Sequence, residues 1–248
     1  MKYAIIIGAT SGIGQEVAKK LLAEGWLLGI AGRREKELKA LQELSPERIS
    51  IQALDITQKD APQLLQELIT QTGGMDLYFH ASGIGFQNLE LQADIESRTI
   101  ETNVAGFTRM VTAAFQYFKQ QNSGHLAVIS SIAGTKGLGS APAYSASKRY
   151  QNTYIDALAQ LAHIQKLNIR FTDICPGFVA TALLNDGCKY PMLMKPERVA
   201  DHIIHALNRH KRVAIIDIRY AWLVFFWRLI PLWLWERMPV KGLFTATL

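Results

Sequence analysis

The chain has 248 residues, a length that fits one large α/β domain better than two small ones. Apolar residues make up 49% of it and charged residues 19%, which argues against a disordered chain. The net charge of +6 is compatible with an acidic partner, but the one cluster of basic residues, at 209–212, is short, so no nucleic-acid partner is expected.

The first residues do not have the pattern of a signal peptide, because Met1 and Lys2 are followed at once by a strand-like apolar run. A cytoplasmic location is therefore expected. Cys175 and Cys188 lack the spacing of a metal site or a redox pair. Two free thiols are the expectation, and one disulfide is the alternative.

Short apolar runs alternate with amphipathic helical patterns along the chain. The runs predict strands at 4–7, 27–31, 49–54, 77–80, 126–130, 169–174 and 213–216, and the helical patterns lie at 15–23, 36–44, 63–70, 95–120, 143–162 and 196–208. This alternation predicts a single doubly wound α/β domain of Rossmann type over residues 1–218, with a parallel sheet of about seven strands and helices on both faces. A hydrophobic helical extension follows at 219–248.

A glycine-rich segment follows the first predicted strand and opens the first helix. Glycine permits a tight turn and a close approach of the backbone to a pyrophosphate, and a helix N-terminus supplies N–H donors and partial positive charge. The segment predicts a dinucleotide site, and a plain strand-to-helix turn is the alternative. Its candidate cofactor-binding residues are Gly8, Thr10, Ser11, Gly12, Ile13 and Gly14.

The second predicted strand ends in Gly32, Arg33 and Arg34, where an NAD site usually has an acidic residue for the ribose hydroxyls. A guanidinium group is suited to a ribose 2′-phosphate. The sequence therefore favours NADP(H) over NAD(H), with Arg33 as the first candidate and Arg34 as the second. In the alternative, both arginines face solvent.

Asp55 ends the third predicted strand. Its carboxylate is suited to accept a hydrogen bond from an adenine amino group and equally to cap the helix that starts near Lys59. Both interpretations stay open, and Asp55 and the next residue, Ile56, are candidate cofactor contacts.

Tyr144 and Lys148 are four residues apart, so on a helix they share one face. A tyrosine has a pKa near ~10, and a neighbouring ammonium is expected to lower it toward the range of acid/base catalysis. Ser131 follows the fifth predicted strand, where its hydroxyl is suited to bind a carbonyl oxygen while Tyr144 protonates it. An ordinary surface pair of Tyr144 and Lys148 is the alternative.

With these motifs in this order, the sequence resembles the short-chain dehydrogenase/reductase family from Lys2 to about Thr181. The resemblance implies that Tyr144 is the acid/base, that Lys148 lowers its pKa and contacts the nicotinamide ribose, and that Ser131 orients the substrate carbonyl. Asn103 matches the residue that helps to hold a water in the proton relay. Further residues matching the cofactor site are Ala81, Ser82, Gly83, Pro176, Gly177, Val179 and Thr181, of which Val179 and Thr181 would hold the nicotinamide amide.

Two positions depart from the family pattern. Ile7 stands where a threonine is usual, and residues 80–83 read His-Ala-Ser-Gly in place of Asn-Asn-Ala-Gly. Hydrogen bonds that brace the central sheet must therefore come from other residues. His80 is expected to be structural, and no catalytic position is lost.

The last part of the chain departs from the family. Residues 183–195 are expected to form a flap over the substrate. The apolar stretch 220–235 contains four of the five tryptophans, but Arg228 and Pro231 interrupt it, so it is not expected to span a membrane. It is suited either to a peripheral membrane contact or to a lid or subunit interface of a homo-oligomer, and in each case the substrate is expected to be lipophilic.

The sequence thus predicts an NADP(H)-dependent oxidoreductase that reduces a ketone or aldehyde, or oxidises the matching alcohol. The alternative is a catalytically silent NADP(H)-binding sensor or scaffold protein. Membrane tethering is compatible with either function, and in that case the cytoplasmic protein would lie at the inner membrane surface.

Overall fold

The computed structural model describes residues 1–184 and 190–238. In this part of the chain the strands form one parallel sheet in the order β3-β2-β1-β4-β5-β6-β7, which confirms the predicted doubly wound fold. The strands are β1 (Tyr3–Ile7), β2 (Leu27–Gly32), β3 (Ile49–Ala53), β4 (Leu77–His80), β5 (Ser123–Ile129), β6 (Asn168–Cys175) and β7 (Val213–Ile215). The helices are α1 (Gly12–Ala23), α2 (Glu35–Gln42), α3 (Ala61–Thr72), α4 (Ala93–Ile100), α5 (Phe107–Gln121), α6 (Pro142–Ile164), α7 (Pro196–Asn208), α8 (Ile218–Leu229) and α9 (Leu232–Trp235).

The central strand β1 is apolar throughout because helices cover both faces of the sheet. Ala4 and Ile6 belong to the core on one face, and Ile5 and Ile7 belong to the core on the other. Successive strand side chains point to opposite faces, so a strand in the middle of such a sheet needs an unbroken apolar run. This requirement explains why the strands could be located from the sequence.

The winding direction reverses at β1. The chain runs outward from β1 through β2 to β3 and then returns to form β4 on the other side of β1. The loops that leave β1 and β4 therefore meet at the carboxyl edge of the sheet, and Ala81 N–H donates to Ile7 O at 2.8 Å there. This is the place where doubly wound sheets bind their ligands.

The single helix predicted at 95–120 is in fact two helices joined by a π-helical turn, Glu101–Gly106. Phe107 N–H bonds to Thr102 O, five residues back, where a regular α-helix would use Asn103 O. The helical prediction for 95–120 is confirmed, but apolar periodicity does not reveal the one inserted residue that makes this turn π-helical. Such turns occur frequently at functional sites.

The C-terminal extension packs on the sheet domain through one face. Tyr220, Val224, Trp227 and Trp235 are buried and belong to the same core as Ala4 and Ile6. Residues 239–248 of the predicted extension lie outside the described part of the chain. Within 1–184 and 190–238, no helix is both long enough and apolar enough to cross a bilayer.

Candidate active site

The glycine-rich segment and the loop after β4 are in close backbone contact. Gly8 has a φ of +92°, and a Cβ atom built on it would lie 2.6 Å from Ser82 N. Any larger residue would be strained by its backbone and blocked by Ser82. Gly14, in the first turn of α1, packs against Gly8 O and Ala81 in the same way. These contacts leave an open cradle above the first turn of α1.

The N-terminus of α1 is suited to bind an anion. Ser11 precedes the helix without a side-chain capping bond, and the first turn contains no acidic residue. The first N–H groups of a helix need partners, and their partial positive charge favours phosphate. Thr10, Ser11 and Ile13 are all in this segment, so the predicted binding residues fit a dinucleotide pyrophosphate.

Arg34, rather than Arg33, contacts the glycine-rich segment. Its guanidinium Nη2 donates to Thr10 Oγ1 at 2.9 Å and to Ser11 Oγ at 2.7 Å. Arg33 is exposed, as is Arg34. The ranking of Arg33 ahead of Arg34 therefore has no support in this geometry, because only the second arginine is held at the edge of the cradle.

Asp55 forms a local turn and does not cap α3. Its Oδ1 accepts hydrogen bonds from Thr57 N at 3.0 Å and from Thr57 Oγ1 at 2.8 Å, while α3 begins later, at Ala61, with Asp60 as its N-cap residue. The next side chain, Ile56, is 3% exposed and belongs to the core. A cofactor could therefore contact Ile56 only through its main chain.

The three predicted catalytic side chains meet at the carboxyl end of β5. Ser131 precedes a short 3-10 turn, Ile132–Thr135, and its Oγ accepts from Ala133 N at 3.1 Å. The Ser131 hydroxyl lies close enough to Tyr144 to lower the pKa of its phenol. Lys148 is 5% exposed, and its Nζ lies 5.8 Å from the centre of the Tyr144 ring.

Burial controls the pKa values of both Tyr144 and Lys148. It raises the pKa of the half-buried Tyr144, and the hydrogen bond from Ser131 offsets only part of this rise. It also lowers the pKa of Lys148 to about 8, although the nearby Asp173 and Cys175 act in the opposite direction. The net shift of the Tyr144 pKa is upward because the loss of hydration is the larger effect, and the lowering expected from Lys148 stays a prediction.

Asn103 lies in the π-helical turn and binds the loop after β4. Its Oδ1 accepts from Ile84 N at 2.9 Å, and its Nδ2 donates to Ile84 O at 2.7 Å and to Ser147 Oγ at 3.1 Å. Gly83, next to Ile84, lies close to this amide, since a Cβ atom on it would be 3.3 Å from Asn103 Oδ1 and 3.6 Å from Lys148 Nζ. Lys148 therefore faces the segment where the cofactor is predicted to bind.

The loop after β6 connects the catalytic serine with the glycine-rich segment. Pro176 O is 3.5 Å from Ser131 Oγ, and the side chain of Thr181 lies beside Gly12. Val179 is buried and bridges to Met194, which leaves its main chain as the part that can meet a ligand. A cleft of about 510 Å³ lies between this loop and the start of α1, away from Tyr144, and its lining includes Gly12, Gln15, Thr181, Leu184 and Leu193.

The predicted flap, 183–195, is only partly described, and residues 185–189 lie outside the described part. The segment after it is anchored to α8, because Tyr220 Oη donates to Pro191 O at 3.0 Å and to Met192 O at 3.1 Å. Tyr220 Oη also accepts from Phe178 N at 3.1 Å. Gly177 fits directly against the Tyr220 ring. The C-terminal extension thus supports the wall of the site.

Several residues that position the site were not predicted. Glu96 accepts from Ala143 N at 2.9 Å and so caps the first turn of α6, where Tyr144 lies. Gly85 packs on the Tyr144 ring, and Gln151 is fully buried beside Lys148. Below the site, Ser130 and Asn152 both bind the buried carboxylate of Asp173.

His80 and Cys175 are also buried near the site. Burial lowers the pKa of His80 to about 3, so it is neutral, and its Nδ1 is hydrogen-bonded to Tyr78 Oη at 2.9 Å. This agrees with a structural role. Cys175 is a free thiol whose pKa burial raises to about 12. The other cysteine, Cys188, lies outside the described residues.

Comparison with known proteins identifies the family of this chain. The model of the short chain dehydrogenase family matches residues 2–188. The chain belongs to this family. An uncharacterized oxidoreductase of Staphylococcus aureus (strain USA300) is 30% identical over 226 residues, which cover 88% of this chain and 95% of the relative. Dehydrogenase/reductase SDR family member 7B of Xenopus tropicalis is 29% identical over 236 residues, which cover 86% of this chain and 76% of the relative.

A short-chain dehydrogenase is an oxidoreductase that uses a nicotinamide cofactor, NAD or NADP, and a small-molecule substrate. The cradle of Gly8, Gly14 and the N-terminus of α1 fits that cofactor. Ser131, Tyr144, Lys148 and Asn103 all lie at the same edge of the sheet as this cradle. The structure therefore brings the predicted catalytic and cofactor-binding residues together at one edge of the sheet.

Gly85→Ala tests whether the position of the Tyr144 ring matters. A Cβ atom at residue 85 would lie 2.6 Å from Tyr144 Cδ2, so the ring must move, and we expect at least a roughly tenfold loss of kcat in any reaction with the nicotinamide cofactor. Gly139→Ala is the matched control, because a Cβ atom there meets nothing within 4 Å. Equal kcat values for the two variants, with both melting like the parent, would contradict this role for Gly85.

Proposed function

We propose that this short-chain dehydrogenase is an NADP(H)-dependent reductase of ketones or aldehydes, which also oxidises the matching alcohols. The observation that supports this most directly is that Ser131, Tyr144 and Lys148 meet at the carboxyl end of β5, at the same edge of the sheet as the glycine-rich segment. A carbonyl oxygen placed between the two hydroxyls would be bound and protonated at the same point.

In this proposal Ser131 donates a hydrogen bond to the substrate carbonyl oxygen and fixes its direction. Tyr144 transfers its proton to that oxygen, and the Lys148 ammonium stabilises the phenolate that remains. The bound cofactor supplies or accepts the hydride.

Apolar side chains near the site support a lipophilic substrate. Phe86 follows Gly85, which touches the Tyr144 ring, and is 42% exposed. Leu183 and Leu193, at the two ends of the predicted flap, are 39% and 49% exposed. Exposed apolar side chains in the segments next to the site are suited to contact an apolar substrate.

The alternative is a catalytically silent protein that binds NADP(H) as a sensor or scaffold. The arrangement of Ser131, Tyr144, Lys148 and Asn103 disfavours it, because binding a cofactor alone would not require a tyrosine with a serine hydroxyl and a buried lysine beside it. The replacement of Tyr144 distinguishes the two functions.

Tyr144→Phe removes the transferred proton and leaves the ring. We expect the variant to bind NADPH like the parent and to lose at least about a hundredfold in kcat. The measurement is NADPH oxidation with ketones and aldehydes of increasing chain length, for which kcat/KM of the parent should rise with apolar length. A parent that binds NADPH but reduces no carbonyl would support the sensor, and a preference for small polar carbonyls would reject the lipophilic substrate.

We propose NADP(H) rather than NAD(H) because Arg34 is held at the cradle by Thr10 and Ser11. A guanidinium group beside the ribose would be in reach of the 2′-phosphate of NADPH, whereas NADH has no phosphate there for the guanidinium to bind. Asp55 is retained in the proposal as an adenine contact.

Arg34→Ala should weaken NADPH binding by roughly tenfold or more and leave NADH binding nearly unchanged. Arg33→Ala is the matched control, since Arg33 is also exposed and adjacent. Titration calorimetry with NADPH and with NADH gives, for each cofactor, the ratio of the dissociation constants of the variant and the parent. A larger effect at Arg33 would restore the order predicted from the sequence, and no effect of either variant on NADPH binding would reject the NADP(H) assignment.

We also propose that the protein is cytoplasmic and binds an anionic membrane surface through α8 and α9. The exposed apolar residues of these helices, here called the aromatic face, are Ile218, Trp222, Phe225, Phe226, Leu229, Leu232, Trp233 and Leu234. They include a helical stripe at 218, 222, 225, 226 and 229, on the side opposite the buried Tyr220, Val224 and Trp227. Arg219, Arg228 and Arg237 lie along the same helices, all exposed, and are suited to lipid phosphates.

The variant Trp222→Ser/Phe226→Ser should lose binding to vesicles of phosphatidylcholine and phosphatidylglycerol, and the parent should not bind phosphatidylcholine alone. Ile164→Ser, at a 68% exposed apolar position on α6, is the matched control. Flotation measures binding, and light scattering on the same samples tests the proposed homo-oligomer. Two results together would assign the aromatic face to a second copy of the chain. The parent protein would not bind the vesicles, and the parent would have the mass of a dimer whereas the double variant would not.

A further inference from the structure

Gln151 is a polar side chain in a place where polar groups are costly. It is 0% exposed and lies on α6, three residues after Lys148 and so on the same face of the helix. A buried amide destabilises a protein unless its donor and acceptor are both bonded. Here both are: Oε1 accepts from Lys148 Nζ at 3.0 Å, and Nε2 donates to Asn103 O at 2.9 Å.

The π-helical turn makes the second of these bonds possible. In a regular helix Asn103 O would accept from Phe107 N–H, but Phe107 N–H binds Thr102 O instead. The carbonyl of Asn103 is thereby left to accept a hydrogen bond from the side chain of Gln151. An irregularity of the helix and a buried glutamine on another helix thus form one contact.

The ammonium of Lys148 is held from two sides. An ammonium group has three donors, and two of them bind Ile129 O at 3.0 Å and Gln151 Oε1. The ammonium also lies near Gly83, since a Cβ atom on Gly83 would be 3.6 Å from Lys148 Nζ. The third donor is thus available to a ligand on that side.

We infer that Gln151 is a positioning residue for the reaction: its amide fixes the Lys148 ammonium toward the cofactor cradle and joins it to the main-chain carbonyl of Asn103. This inference rests on the proposed function. Gln151 thus contacts both Lys148 and the main chain of Asn103, the residue that the family resemblance assigns to the proton relay.

Other titratable groups surround Lys148 and stay the same in every variant of Gln151. Asp173 and Cys175 lie on β6, His80 is on β4, and Tyr144 is on α6. Burial lowers the pKa of Lys148 to about 8, and the bond to Gln151 Oε1 favours its charged form. Loss of that bond should therefore lower the pKa of Lys148 further. Activity would then begin to fall at a lower pH, because a neutral amine stabilises the Tyr144 phenolate less.

Two variants separate a positioning role from simple packing. Gln151→Leu fills most of the space but offers no hydrogen bonds. Gln151→Ala leaves room for a water, which could bind the two polar partners of the glutamine, Lys148 Nζ and Asn103 O. A packing role predicts that leucine is tolerated better than alanine. A positioning role predicts the opposite order for kcat. Ile155→Ala, the next buried position on this face, is the control for cavity formation.

The experiment measures carbonyl reduction against pH and, in the free protein, the titration of Lys148 by NMR of its side-chain carbon. We expect Gln151→Leu to reduce kcat roughly ten- to a hundredfold and to shift the alkaline fall of activity and the Lys148 titration downward by about one pH unit. Gln151→Ala should have a kcat and a pH dependence between those of Gln151→Leu and the parent. Ile155→Ala should only lower the melting temperature.

Two results would overturn the inference: unchanged pH dependence in Gln151→Leu, or a kcat for Gln151→Ala below that of Gln151→Leu. An inactive parent enzyme would instead reject the proposed function. In that case the NMR titration still tests the contact, because it needs neither substrate nor cofactor.

Discussion

The two hydrogen bonds between the Asn103 amide and the backbone of Ile84 hold the loop after β4 in place, and the site depends on that loop. Ile84 follows Gly83, which approaches Lys148, and precedes Gly85, which touches the Tyr144 ring. A third bond from the same amide reaches Ser147, between the two catalytic positions of α6. One buried amide therefore sets the distance between the cofactor side and the catalytic side of the site. Because the bonds are buried, their geometry is protected from competition by water.

The sheet could be predicted from the sequence because its central strands are buried on both faces, as the unbroken apolar run of β1 illustrates. The glycine-rich segment could be predicted because a backbone approach such as that of Gly8 to Ser82 excludes every side chain. Ser131, Tyr144 and Lys148 were identified from their spacing and order. In each of these cases a local structural or chemical requirement restricts the type of residue that can occupy the position.

Contacts between distant segments left no comparable signal. Glu96 and Ala143 are far apart in sequence, and a glutamate near a predicted helix ordinarily indicates a solvated surface. Gln151 falls in a helical pattern where a polar residue also suggests exposure, yet it is fully buried. The choice between Arg33 and Arg34 depends on the direction of the backbone at the end of β2, which composition does not determine. The pKa of Tyr144 likewise depends on how much of it is buried.

The π-helical turn has a consequence for the history of insertions in this chain. Relative to an α-helix, the turn holds one additional residue, and one residue corresponds to a rotation of about 100° around the helix axis. All of α4 is therefore rotated relative to α5, and this rotation directs Glu96 toward the first turn of α6. Deletion of a single residue between 101 and 106 would convert the segment into a regular helix. It would turn the cap of α6 away and enclose the Asn103 carbonyl at the same time, so both features depend on this one turn.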